Sequence, residues 1–153
     1  MSFSMADIDR NRSTELEGQP EKPLPDEQDP FTRFRHLITI LRSKNGCPWD
    51  RKQTPATIKK YLLAETRELA EAIDEDDHDH VCEEIGDLFY ILLMLCQMYE
   101  EENIFSADTA LADVTRKMIR RHPHVFAGKA TGNEEQLRQQ WEAIKKAEKK
   151  GEI

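Results

Sequence analysis

The run Leu88–Met98, LFYILLMLCQM, is apolar on nearly every side when wound into a helix, and it constrains the fold more than any other stretch. A helix apolar all round must be buried all round. A chain of 153 residues makes one ordinary domain and supplies few layers for that burial. Part of this surface is therefore expected to pack against a second subunit, in a homodimer or higher homo-oligomer built through the central helices. A membrane is not the alternative: the longest apolar stretch, Leu88–Cys96, has nine residues, against about 20 for a span. The first half of the same helix has the opposite character, carrying Glu83, Glu84 and Asp87.

Helix signals recur along the chain. Asp29-Pro30 reads as an N-cap followed by proline at the first helical position, and Phe31, Phe34, Leu37, Ile38 and Leu41 follow at helical spacing. That helix should stop near Ser43, before Asn45-Gly46 and Cys47-Pro48, and NGCPWDRKQT reads as a compact loop. Thr54-Pro55 repeats the cap-plus-proline signal and opens a helix to about Glu75, with Ile58, Tyr61, Leu62, Leu69, Ala72 and Ile73 as its buried side. The polar connector DEDDHDH turns the chain into the helix from about Asp79 to Glu102. Ser106 or Asp108 caps a helix through about Arg121, with Ala110, Leu111, Val114 and Met118 on its apolar side. HPHVFAGKATGN reads as irregular, and a last helix from about Glu134 to Lys149 presents Leu137, Trp141 and Ile144. No β pattern appears, so the expected fold is an all-α helical bundle over residues 30–150. Residues 1–29 are polar and hold Pro20, Pro23 and Pro25; with too little apolar surface to offset ordering entropy, they read as a disordered tail.

The formal net charge is −8, which argues against a nucleic-acid partner. Cys47, Cys82 and Cys96 are odd in number and lack metal-ligand spacing. They argue against disulfides and structural zinc and for a cytoplasmic home. The N-terminus has no apolar core of signal-peptide type.

The chemistry is concentrated in carboxylates. Glu65 and Glu68 sit three apart near the middle of one helix, and Glu84 and Asp87 three apart near the start of the next. Residues i and i+3 share a helix face, so two antiparallel helices would aim four acids at one another. Such a group repels itself unless a cation sits among the acids. Magnesium, which takes oxygen ligands and completes its shell with substrate phosphates, suits it; acids at helical spacing otherwise form a solvated face. The acids lie among Leu62, Leu63, Leu69, Ile85 and Leu88, which disfavours free solvation. Gly86 between Glu84 and Asp87 suggests close approach by a helix or ligand. Lys117, Arg120 and Arg121 share another face, joined in composition by Arg51, Lys52 and Lys145. Arginine forks suit phosphate oxygens, and basic residues at a helix end also favour its dipole. Trp49, in the loop with Asp50, is open to base stacking or to packing. His78 and His80 read as part of a solvated turn, and His122 and His124, flanking Pro123, as turn residues. Candidates for substrate binding are Trp49, Asp50, Arg51, Lys52, Lys117, Arg120, Arg121 and Lys145.

In order and spacing, NGCPWDRKQT, LLAETRELAEAI, EEIGDLFYILL, RKMIRRHPHVF and WEAIKKAE resemble the MazG family of nucleoside triphosphate pyrophosphohydrolases. The likeness spans about residues 30–150 and is strongest to the first repeat of tandem MazG proteins. It implies a MazG-like helical bundle that assembles as dimers or higher oligomers. It also implies Mg²⁺-dependent cleavage of a nucleoside triphosphate between the α- and β-phosphates, with Mn²⁺ as a possible substitute, giving the monophosphate and pyrophosphate. Carried over from the family's EExxE and ExxD motifs, the metal acids are Glu65, Glu68, Glu84 and Asp87, with Glu65 or Glu68 orienting or deprotonating water. Ala64 replaces the first glutamate of the pair, and Thr115 stands where many relatives carry asparagine. Ala64 also motivates another reading, a catalytically weak nucleotide-sensing or partner-binding helical module.

Overall fold

The computed structural model describes residues 29–151, in which every regular element is a helix. The tail expected over residues 1–29 lies outside the described residues except for Asp29. In order come α1 (Pro30–Arg42), α2 (Pro48–Lys52), α3 (Pro55–Asp74), α4 (His78–Glu101), α5 (Ala107–Arg121), α6 (Pro123–Phe126) and α7 (Glu134–Lys150). They fall into two compact units, one ending at Ile104 and the other starting at Phe105.

Side-chain caps set most helix starts. The Asp29 carboxylate accepts from the backbone N–H groups of Phe31 and Thr32, with Pro30 at the first turn. Thr54 forms a reciprocal capping box with Thr57, and Asn133 does so with Gln136. Ser106 accepts from the Thr109 N–H. Each pairs a backbone donor that the first helical turn leaves unsatisfied. Two short helices replace expected irregular chain: α2 in the loop after α1, and α6 in the segment after α5. Both begin with proline, whose fixed φ suits the first helical position even where it ends the preceding element.

In the first unit α3 and α4 are the principal packed pair. Only Glu75–Asp77 connect them, so they run side by side in opposite directions. The fully buried line of α3 is Ile58, Glu65, Ala72, and that of α4 includes Glu84, Ile91, Met98. Each line steps by seven residues, two helical turns, and so stays on one face. Ile73, expected inside, is 59% exposed because it lies a residue off that line. Arg42 ties three elements together: it donates to both Glu101 carboxylate oxygens at 2.9 and 2.6 Å and to the backbone carbonyls of Asp50 (2.7 Å) and Gln53 (3.2 Å). Gly46 lets the chain turn under α1, since a Cβ there would lie 2.1 Å from the Leu41 carbonyl oxygen.

The apolar half of α4 is not buried all round. Tyr90, Ile91, Leu93, Met94 and Met98 are inside, whereas Ile85, Phe89 and Leu92 form a stripe 43–48% exposed. In the second unit α5 packs on α6 and α7. Its expected apolar side is uncovered among the described residues: Ala110, Leu111 and Val114 are exposed, and Met118 is half-buried. No described helix is long and apolar enough to cross a membrane.

Candidate metal centre

Glu65 and Glu84 occupy core positions in the facing lines of α3 and α4, at 1% and 4% exposure. Together with half-buried Asp87 they each offer a carboxylate oxygen, and the three atoms lie within 4.8 Å of one another. Glu68 is not in that convergent set, but its charge acts on all three members. Burial, reinforced by the charges of Glu68, Asp87 and Glu84 and by a side-chain hydrogen bond with Glu84 when Glu65 is protonated, pushes the Glu65 carboxyl up to about 7. Burial is also the main cause raising Glu84, with Glu68 and Asp87 adding to it and His80 opposing. Asp87 is raised by burial first, then by Glu83 and Glu68.

Two oxygens in this group, Glu65 Oε1 and Glu84 Oε2, are buried with no hydrogen-bond partner among the described residues. A buried acceptor without a donor costs about 1–3 kcal/mol, and more when charged. The apolar lines of both helices hold these atoms in place against that cost. Three hard oxygen donors, anionic above their raised pKa values and short of donors, fit a divalent cation of the magnesium or manganese class.

His80, read from the sequence as part of a solvated turn, instead reaches the acid group. Asp77 caps α4 by accepting from the His80 N–H at 3.1 Å, so the helix starts at His78 and His80 is in its first turn. From there the His80 Nε2 reaches Glu84 Oε1 at 3.0 Å. The i,i+4 spacing between them was the available signal. Gly86 shows no close approach: a Cβ there would meet open space among the described residues.

The other candidates divide between the units. Trp49 is half-buried, edge-on to the Tyr61 ring with centroids 5.6 Å apart. Asp50 is 4% exposed, and its carboxylate accepts from the Tyr90 hydroxyl. Burial and this bond raise the tyrosine's pKa, so Asp50 anchors α2 to α4. Arg51 donates to the Lys44 carbonyl at 2.9 Å, and Lys52 is exposed. In the second unit Arg120 and Arg121 both grip Glu148, with nearest contacts of 2.6 Å each, and Arg121 lies 5.2 Å from the Trp141 ring centre. Lys145 pairs with Glu142 at 3.2 Å, and Lys117 is half-buried on the face of Arg120 and Arg121. Glu148, some 27 residues downstream of Arg121, carries no sequence signal linking it to them.

Residues 53–126, which contain every acid of the cluster, match the MazG nucleotide pyrophosphohydrolase domain. The fold aligns with the crystal structure of a mazG-related protein from Thermotoga maritima at a TM-score of 0.60 and 31% identity, covering 72% of this chain and 96% of that one. The chain belongs to the MazG family. It is 47% identical over 119 residues to the uncharacterized protein YabN of Bacillus subtilis, an alignment covering 78% of this chain and 24% of that protein. It is 41% identical over 123 residues to the nucleoside triphosphate pyrophosphohydrolase of Escherichia coli, covering 78% of this chain and 47% of that enzyme. The chain thus spans from a quarter to about half the length of these curated relatives. The MazG match begins at Gln53 and ends at Phe126, so α1, α2 and α7 lie outside it.

Proposed function

We propose that this MazG chain is a divalent-metal-dependent nucleoside triphosphate pyrophosphohydrolase, cleaving NTPs or dNTPs to the monophosphate and pyrophosphate. The observation that carries the reading is the pair of buried, unpartnered oxygens of Glu65 and Glu84 beside Asp87. Glu65, Glu84 and Asp87 would hold Mg²⁺ or Mn²⁺, with Glu68 at their rim. When bound, the ion supplies Lewis acidity toward phosphate oxygens and lowers the pKa of water. Glu68, half-buried and near enough to act on all three acids, is assigned to orient the attacking water and accept its proton. The apolar residues around the acids limit water and strengthen each charge interaction. Within the first unit we assign Arg51 and Lys52 to the substrate's phosphates; Lys117, Arg120, Arg121 and Lys145 are proposed as a phosphate-binding face of the second unit, taken by itself. For the base we assign Trp49, whose ring is already steadied by Tyr61.

The uncovered stripe Ile85, Phe89 and Leu92 supports assembly through α4 as a homodimer or higher homo-oligomer. The test is pyrophosphate release across normal and damaged nucleotides, with Mg²⁺, with Mn²⁺ and with chelator. Metal-dependent release is expected, with a loss of at least about 100-fold in Glu68→Gln. Nucleotide binding by calorimetry without any release would instead favour a sensing module, the reading that Ala64 motivates.

A further inference from the structure

We infer that His80 is a positioning residue for the acid cluster: its Nε2–H holds Glu84 Oε1 and thereby fixes Glu84 Oε2 as the oxygen offered to a divalent cation. This rests on the metal-site reading above and goes beyond it, since His80 lies outside the acid motifs.

Three observations converge. His80 and Glu84 are one turn apart on α4, with 3.0 Å between Nε2 and Oε1. The two oxygens of Glu84 are unequal: Oε1 has the imidazole, whereas Oε2 is buried, beside Glu65, with no hydrogen-bond donor to it among the described residues. The backbone that carries the imidazole is fixed in the first turn of α4, because Asp77 caps the helix through the His80 N–H. A surface pair of this spacing contributes little, but here the carboxylate side chain is 5% exposed while the histidine is 38% exposed. His80 therefore stands between solvent and the cluster. A carboxylate free to rotate about its last bond would present either oxygen. One held on Oε1 presents a single oxygen in a fixed direction, as hydrogen-bonded ligands do in metal sites.

The test is Mn²⁺ titration followed by electron paramagnetic resonance at fixed pH, on the full chain and on His80→Ala and His80→Gln, with circular-dichroism melts of the metal-free proteins. Glutamine keeps an N–H donor on a side chain long enough for the next turn. His80→Ala is expected to weaken Mn²⁺ binding about tenfold or more. Its metal-free melt should stay close to wild type, and His80→Gln should recover most of the loss. Wild-type affinity in His80→Ala overturns the inference while leaving the metal site standing. So does equal loss in both variants, or collapse of the His80→Ala fold, which would make the residue structural. Absence of Mn²⁺ binding by the wild type would overturn the metal site itself, and this inference with it.

Discussion

The acid cluster of the first unit and the basic helix end of the second are built on opposite terms. In the first, Glu65, Glu84 and Asp87 converge with like charge, burial and two unpartnered oxygens. In the second, Arg120 and Arg121 are answered within the same unit by both oxygens of Glu148. The protonation of the acids follows: Glu65 is pushed up to about 7, whereas the two arginines hold Glu148 below its ordinary value. Charge that is left uncompensated inside a fold calls for a partner from outside it. Charge compensated in place does not, which leaves the acid cluster as the site that something must fill.

The comparison is tested hardest at Glu65. Glu65→Gln keeps the shape but removes one ligand charge, so activity should fall by at least about 100-fold, and the gain in melting temperature on adding Mn²⁺ should shrink or vanish. In chelator the same variant should melt at or above the wild-type temperature near pH 8, because one buried charge is gone. A wild-type metal response in Glu65→Gln would break the contrast. The next effect is on pH. The unfolded chain releases the Glu65 proton near 4.5 and the folded chain near 7. Between those values the folded state binds more protons, so its stability is full below about pH 4.5, falls as pH rises to about 7 and is flat beyond. The loss from Glu65 is at most about 3 to 4 kcal/mol, and Glu84 and Asp87 shift in the same direction. Denaturant melts in chelator from pH 4.5 to 8 should show this decline, and Mn²⁺ should oppose it at the alkaline end. Flat stability across the window would mean the acids are solvated.

Much of this was legible in the sequence because it is local. Asp29, Thr54 and Ser106 announce helix starts by chemistry confined to three residues, and the two acid pairs announce shared faces by their spacing. What stayed hidden depends on distant chain. That Glu65 lies on the buried line with Ile58 and Ala72 follows only once α4 covers that line; Ile73, one residue off it, stays outside. Arg42 and Glu101 are 59 residues apart, and nothing in either stretch marks the pair. Pro48 and Pro123 read as breakers of what precedes them, yet both open a short helix. At His80 the polar composition pointed to a solvated turn, yet the imidazole, in the first turn of α4, reaches Glu84.

The smallest expected effect lies at Glu148, and it separates the two regions most cleanly. Glu148→Gln removes the anion but leaves an oxygen and an amide of similar size. The arginine fork then loses charge-assisted bonds to a partly exposed partner, which solvent and salt already screen. The melting temperature should drop by no more than a few degrees at neutral pH. Because the arginines lower the Glu148 pKa, its contribution is full above its ordinary value and is lost as pH falls, opposite in sign to that of Glu65. The wild-type and variant melts should therefore converge as pH falls below the ordinary carboxylate value and the folded acid takes up its proton. The decisive readout is metal: Mn²⁺ should raise the melting temperature of Glu148→Gln as much as that of the wild type. Loss of that response in the variant would break the contrast between the two regions.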